Sequence, residues 1–186
     1  MKIIGICGSP RKGNSEFVLR NVLDKLKDKN IETELFLIRE KNIQLCDGCL
    51  ICSGGKAPCK IKDDMEEIYE KLKQADIIIF VSPVYYDMIS PQLLNFIVRL
   101  NSLKNELKGK KFAFILLGQL KGDEAKESLG NAADYLKQVS KIKELNLLDY
   151  LLIDGVKDVN DAEKKEDIDY KCKNFVDNLI NHEIFN

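Results

Sequence analysis

The chain has 186 residues, of which 45% are hydrophobic, enough for one domain of ordinary size with a full core. Its 29 basic and 30 acidic residues nearly cancel, which leaves no basic excess for a nucleic-acid backbone, so no nucleic-acid partner is expected. No apolar run approaches the roughly 20 residues of a membrane helix, so no membrane partner is expected either.

Met1 to Gly8 turn polar too soon for a signal peptide and read as a strand, which points to a cytoplasmic protein whose thiols stay reduced. Residues 2–7 form an apolar run suited to a central strand buried on both faces. The run ends in Gly8-Ser9-Pro10-Arg11-Lys12-Gly13-Asn14-Ser15. Phe17, Val18, Val22, Leu23 and Leu26 then recur at helical spacing, with Asn14 or Ser15 as the expected N-cap. Residues 31–38 begin in alternation and end apolar, as a strand near the sheet edge does. A cysteine-rich loop, 45–60, follows at once. Asp63 or Asp64 is expected to cap a helix to about Lys73, with Met65, Ile68, Tyr69 and Leu72 on one face.

Residues 76–82 are the strongest strand signal, which Pro83 to Met88 should break. Ser90 then caps a helix with Pro91 at its first position. Residues 111–118 read as a fourth buried strand, 119–123 as a loop and 124–139 as a helix. A fifth strand is expected within 144–153 and a last helix over about 161–180. Cys7 and Cys172 read as core residues and His182 as a solvated tail residue. Alternation of this kind predicts a single α/β domain over 1–186. The expected fold is a flavodoxin-like, doubly wound, five-stranded parallel sheet of order 2-1-3-4-5, with the cysteine loop after strand 2.

Four of the six cysteines, Cys46, Cys49, Cys52 and Cys59, follow the spacing C-x2-C-x2-C-x6-C. The first three converge on one centre if the backbone coils loosely, and a Gly54-Gly55 turn brings in the fourth. Short ferredoxin-type runs present thiolates to a [4Fe–4S] cluster in this way. Structural zinc more often takes two separated C-x2-C pairs or adds histidines, and His182 is far away in sequence. Zinc, a disulfide and a loop of free thiols stay open as alternatives. Lys60 and Lys62 could offset the charge of a cluster.

A strand that ends in a Gly/Ser-rich loop opening a helix is a recurrent phosphate site. Ser9, Gly13, Asn14 and Ser15 would form its cradle and Arg11 would add charge, though a plain turn with an N-cap fits too. The loop is neither G-x-G-x-x-G nor a P-loop. In the predicted fold, Pro83, Val84, Tyr85, Tyr86 and Asp87 and the loop from Gly118 end at the same edge, where such sheets bind ligands. One phosphate site and an aromatic turn suit a mononucleotide with a flat ring, and FMN is the candidate cofactor.

The phosphate-loop residues, the cysteine run, Lys62-Asp63-Asp64-Met65, and Ser82-Pro83-Val84-Tyr85-Tyr86 with Ser90 and Arg99 resemble the iron–sulfur flavoproteins of the NADPH-dependent FMN reductase superfamily, over about residues 1–120. The resemblance implies a homodimer or dimer of dimers with FMN at the interface and one [4Fe–4S] cluster per subunit. It implies electron flow from ferredoxin or a similar carrier through cluster and FMN to an acceptor, with oxygen or peroxide suggested. No side chain would act as catalyst. Asp87 departs from the pattern, since relatives often carry glycine or another small residue there. The competing readings are an NAD(P)H-dependent FMN or quinone reductase with the loop empty or zinc-filled, and a zinc-loop interaction module.

Overall fold

The computed structural model describes residues 1–53 and 57–184, with side chains to residue 181. The expectations for Gly54-Gly55 and for the His182 side chain lie outside what it describes. In chain order the elements are β1 (Lys2–Cys7), α1 (Asn14–Lys27), β2 (Glu32–Leu37), α2 (Met65–Gln74), β3 (Ile77–Tyr85), β4 (Met88–Ile89), α3 (Pro91–Arg99), α4 (Lys104–Leu107), β5 (Lys111–Leu117), α5 (Gly122–Ile142), β6 (Asn146–Ile153) and α6 (Ile168–Ile184). Five strands run parallel in the order β2-β1-β3-β5-β6. With the two-residue β4 set aside, this is the flavodoxin-like order expected.

Successive strand side chains point to opposite faces, and the sequence fills both. Ile4, Ile6, Ile78, Phe80, Phe112 and Phe114 face α2, α3 and α5. Ile3, Cys7, Ile77, Ile79, Val81, Ala113 and Ile115 face α1 and α6, where Cys172 is also buried. The two isolated cysteines are therefore core residues. No helix among the described residues is long and apolar enough to cross a membrane.

Three local expectations change. Pro83 does not break the third strand, which runs on to Tyr85 and turns back through β4, with Val84 opposite Ile89 and Tyr85 opposite Met88. Pro83 is tolerated because the strand is there leaving the parallel sheet for a two-residue hairpin. The last helix starts at Ile168 rather than near 161, and residues 154–167 are turns and irregular backbone. Neither Asn14 nor Ser15 caps α1: its N-cap is Gly13, and no side chain bonds the free amides there.

The hairpin explains why glycine suits position 87. Tyr86 (φ 47°) and Asp87 (φ 61°) both lie in the left-handed region, as the central pair of a type I′ turn must. Such residues cost on the order of 1 kcal/mol each when they carry a Cβ. Asp87→Gly should therefore stabilise the chain by about 0.5–1 kcal/mol, and Asp87→Val should destabilise it by at least as much. Denaturant midpoints at constant m-value check this, and an Asp87→Gly midpoint at or below wild type would refute the strain.

Candidate functional site

The carboxyl ends of the parallel strands open into a cavity of about 500 Å³. Ser9, Arg11, Asn14 and Ser15 line one side, Pro83 to Asp87 a second and Gly118 a third, so these expected residues come together; Gly13 does not line it. Gln119 and Leu120, from the 119–123 loop expected at this edge, line it too; sequence reasoning missed Ser128 on α5, and Val156 and Lys157 from the stretch before α6.

The cavity walls are tied to one another. Ser90 Oγ donates to Gly8 O at 2.6 Å and accepts from Leu93 N at 3.2 Å, while Ser90 N donates to Ser82 Oγ at 2.9 Å. Gly8 N donates to Val81 O at 2.8 Å. A Cβ on Gly8 would lie 2.6 Å from Leu93 Cβ, so only glycine lets the loop sit against α3. Phe17 N closes the first turn of α1 onto Gly13 O, and the earlier amides have no intrahelical acceptor. With no side-chain cap, the positive end of α1 is open to an anion. The acidic residue of that turn, Glu16, is neutralised by Arg20 and Arg39, each at 2.8 Å. Burial pushes its carboxyl up, but the two guanidiniums outweigh burial and hold it below its ordinary value.

Several polar side chains of the loop are already engaged. Ser9 Oγ donates to Arg11 O at 2.8 Å. Arg11 Nη2 donates to Lys157 O at 2.7 Å. Asn14 Nδ2 donates to Asp158 O at 2.9 Å, and Asn14 Oδ1 accepts from Ala162 N at 3.0 Å. Residues 155–162 thus form a strap across the loop. The strap is pinned to the end of β5 by Val156 N to Gly118 O at 2.9 Å and Gly155 N to Leu120 O at 2.8 Å. Asp161 stiffens it by accepting from the amides of Lys157 and Asp158 at 3.0 and 2.7 Å.

The cysteine loop leaves β2 on the same edge. All its thiols are free, with Cys46 exposed and Cys49, Cys52 and Cys59 half-buried. Burial raises the pKa of Cys52, and the charges of Cys59, Cys46 and Cys49 raise it further, as expected of sulfurs within electrostatic reach of one another. Four thiolates are a donor set for soft metals or iron–sulfur clusters. Among the described residues no three potential ligands are gathered into a ready cage; ligation would have to draw the sulfurs in, as where metal binding contributes to folding. The expected counter-charges are largely spent: Lys60 pairs with Asp47 at 2.7 Å and Lys62 pairs with Glu66. Below the loop, Arg99 and Asp63 form a bidentate ion pair at 2.7 and 3.0 Å. Burial pushes the Asp63 carboxyl up, yet Arg99 and the amides of Gln44 and Met65 hold it below its ordinary value.

Residues 1–144 match the family model described as NADPH-dependent FMN reductase. An iron–sulfur flavoprotein of Methanosarcina thermophila is 34% identical over 140 residues, 73% of each chain. The chain belongs to this family, within its iron–sulfur flavoprotein group. One iron–sulfur flavoprotein of Methanocaldococcus jannaschii is 44% identical over 94 residues, covering 50% of this chain and 48% of the relative; the chain thus spans about half the length of such relatives. A solved flavodoxin of Streptococcus pneumonia superposes with a TM-score of 0.63 at 15% identity, covering 98% of this chain and 99% of that one, a likeness of fold alone.

Burial pushes the thiols of Cys7 and Cys172 up to about 11, whereas the other four lie in the loop. In metal-free, reduced protein an aromatic disulfide reagent at pH 8 should therefore modify four thiols quickly and the remaining two only after denaturant is added. Six fast thiols would mean that β1 and α6 are not packed as described.

Proposed function

We propose that this member of the family is an electron-transfer flavoprotein, an FMN-dependent oxidoreductase. On this reading FMN occupies the cavity at the carboxyl edge, and Cys46, Cys49, Cys52 and Cys59 hold a [4Fe–4S] cluster. The observation that carries the reading is the meeting of an uncapped helix start, a Gly/Ser loop and the Pro83–Tyr86 wall in one cavity, with a four-thiol loop on the same edge. When bound, the two groups supply the redox chemistry; the protein's part is to hold them and exclude competing reactions.

The amides at the start of α1, with Ser15, would meet the FMN phosphate, and Ser9 would hold the loop in place through its bond to Arg11 O. Arg11 and Asn14 would act mainly by fixing the loop against the strap. Pro83, Val84 and Tyr85 would flank the ring, with Asp87 and Gly118 at its rim. Tyr86 is fully exposed and Met88 partly so, which suits a homodimer or dimer of dimers in which a second copy covers the cavity mouth. A ferredoxin-type carrier in the cytoplasm would be the donor. The names of the relatives support the cluster, and the family name supports FMN. That same family name keeps direct reduction by NAD(P)H as the competing activity.

The deciding experiment is an anaerobic ultraviolet–visible spectrum with iron, sulfide and FMN assays on one sample. About four irons and one FMN per chain are expected of a [4Fe–4S] flavoprotein. Flavin without iron in protein never exposed to air, bleached rapidly by NADPH alone, would overturn the cluster reading in favour of a plain reductase. Cys49→Ala should lose the iron and keep the FMN. Replacing Arg11 and Asn14 together by alanine should weaken FMN binding about tenfold or more, since the loop would lose the charge-assisted bond of Arg11 and the two neutral bonds of Asn14 that hold it against the strap. Unchanged affinity by flavin fluorescence titration would remove these two residues from the site.

A further inference from the structure

The cysteine loop is anchored through one guanidinium. Arg99 Nη1 donates to Asp63 Oδ2 and to Gln44 O, both at 2.7 Å, while Nη2 donates to Asp63 Oδ1 at 3.0 Å. Asp63 in turn accepts from Gln44 N at 2.9 Å and from Met65 N at 3.0 Å. The side chains of Arg99 and Asp63 are 1% and 0% exposed. Gln44 lies two residues before Cys46, and Asp63 four residues after Cys59. Asn95, one turn earlier on α3, adds Nδ2 to Gln44 O at 3.2 Å and accepts from Cys46 N at 3.3 Å. A second rung joins Asn42 N to Asp64 Oδ2 at 2.8 Å and Asp64 N to Asn42 O at 3.2 Å. The neck of the loop is therefore shut by bonds that converge on the two buried side chains, Arg99 and Asp63, with more exposed bonds from Asn42 and Asn95 beside them; among the described residues no three potential ligands above it are gathered into a cage.

We propose that the Arg99–Asp63 pair is a clamp that closes the neck of the cysteine loop before any cluster arrives, which makes Arg99 a positioning residue for cluster uptake and retention. This rests on the cluster reading above. Closing a loop costs entropy that grows with its length. With residues 44 and 63 already joined, less chain has to be closed when the cluster is bound. Arg99 reaches this geometry because its planar fork meets the carboxylate with two nitrogens and still spares a donor for Gln44 O; a lysine ammonium supplies the charge without the fork.

The test uses two variants reconstituted anaerobically. Arg99→Lys keeps the charge and loses the fork. The double variant Arg99→Gln with Asp63→Asn removes both charges, so no lone buried ion is left to unfold the chain. Three quantities are read: the rate of iron loss to a chelator, the FMN content, and hydrogen exchange in metal-free protein. Both variants should release iron about ten- to a hundredfold faster, the range seen when outer-shell partners of a metal site are lost, with FMN content unchanged. The amides of Asn42, Gln44 and Asp64 should exchange faster while those of β1 and β3 keep their protection. Iron release at the wild-type rate, or Arg99→Lys behaving as wild type, would overturn the clamp. Loss of FMN together with iron would overturn it too, since the pair would then support the whole fold. Wild-type protein that binds FMN but no iron would sink the cluster reading instead, and exchange at the neck would then decide the clamp alone.

Discussion

Both halves of the functional edge hang on helix α3. At its start, the Ser90 hydroxyl bonds Gly8 O and caps the helix, and Gly8 is packed so closely that no Cβ fits. Further along, Asn95 and Arg99, one turn apart on one face, take hold of Gln44. Leu93, Phe96 and Ile97 bury the intervening side in the core against the sheet. The phosphate loop and the cysteine loop are thus mounted on one rigid member, about 14 Å of helix separating their attachment points. Neither site depends on the other's loop for its place.

The two sites differ in how much is built before a ligand arrives. Around the cavity, side chains that could swing toward a phosphate are already bonded: Ser9 to its own loop, Arg11 and Asn14 to the strap. What remains to meet an anion is fixed backbone at the start of α1 and the buried Ser15. Such a site loses little conformational freedom on binding. The cysteine loop is the reverse above its neck, where among the described residues no three potential ligands share a centre and the charges of Cys59, Cys46 and Cys49 act on Cys52. On the proposed function, a rigid cradle beside a loop that closes on its ligand suits one group bound by shape and another bound by covalent ligation.

How much of this could be read from sequence follows from where each signal resides. β1, β3 and β5 are apolar on both faces, so their runs announce themselves, and the order of alternation gives the sheet. The Ser90-Pro91 start is a local signature and held. The β3–β4 hairpin was hidden because Tyr86-Asp87 adopts a turn usually marked by Asn-Gly. The strap was hidden for a different reason: Arg11 and Asn14 read it through the carbonyls of Lys157 and Asp158, and a carbonyl leaves no trace in residue type. Arg99 and Asp63 both stand among the residues that carry the family resemblance, but their pairing, across 36 residues, could not be named from one sequence.

The choice of an ion pair at the neck is itself informative. Removing two charges from water costs several kcal/mol per ion, and replacement of a buried pair by matched apolar side chains is often neutral or stabilising. Here the bookkeeping is worse than usual, because Arg99 Nε is buried without a partner among the described residues. Stability is thus a poor explanation for Arg99 and Asp63. An apolar pair at these positions would hold the two chain segments near each other but would fix neither Gln44 O nor the amides of Gln44 and Met65. Non-directional packing tolerates a slip of the loop by a fraction of a residue, whereas four or more directional bonds meeting at one guanidinium and one carboxylate do not. On the proposed cluster reading, a loop that delivers four sulfurs to one centre needs its ends in register more than it needs them close, and the buried pair supplies that register at some cost in stability.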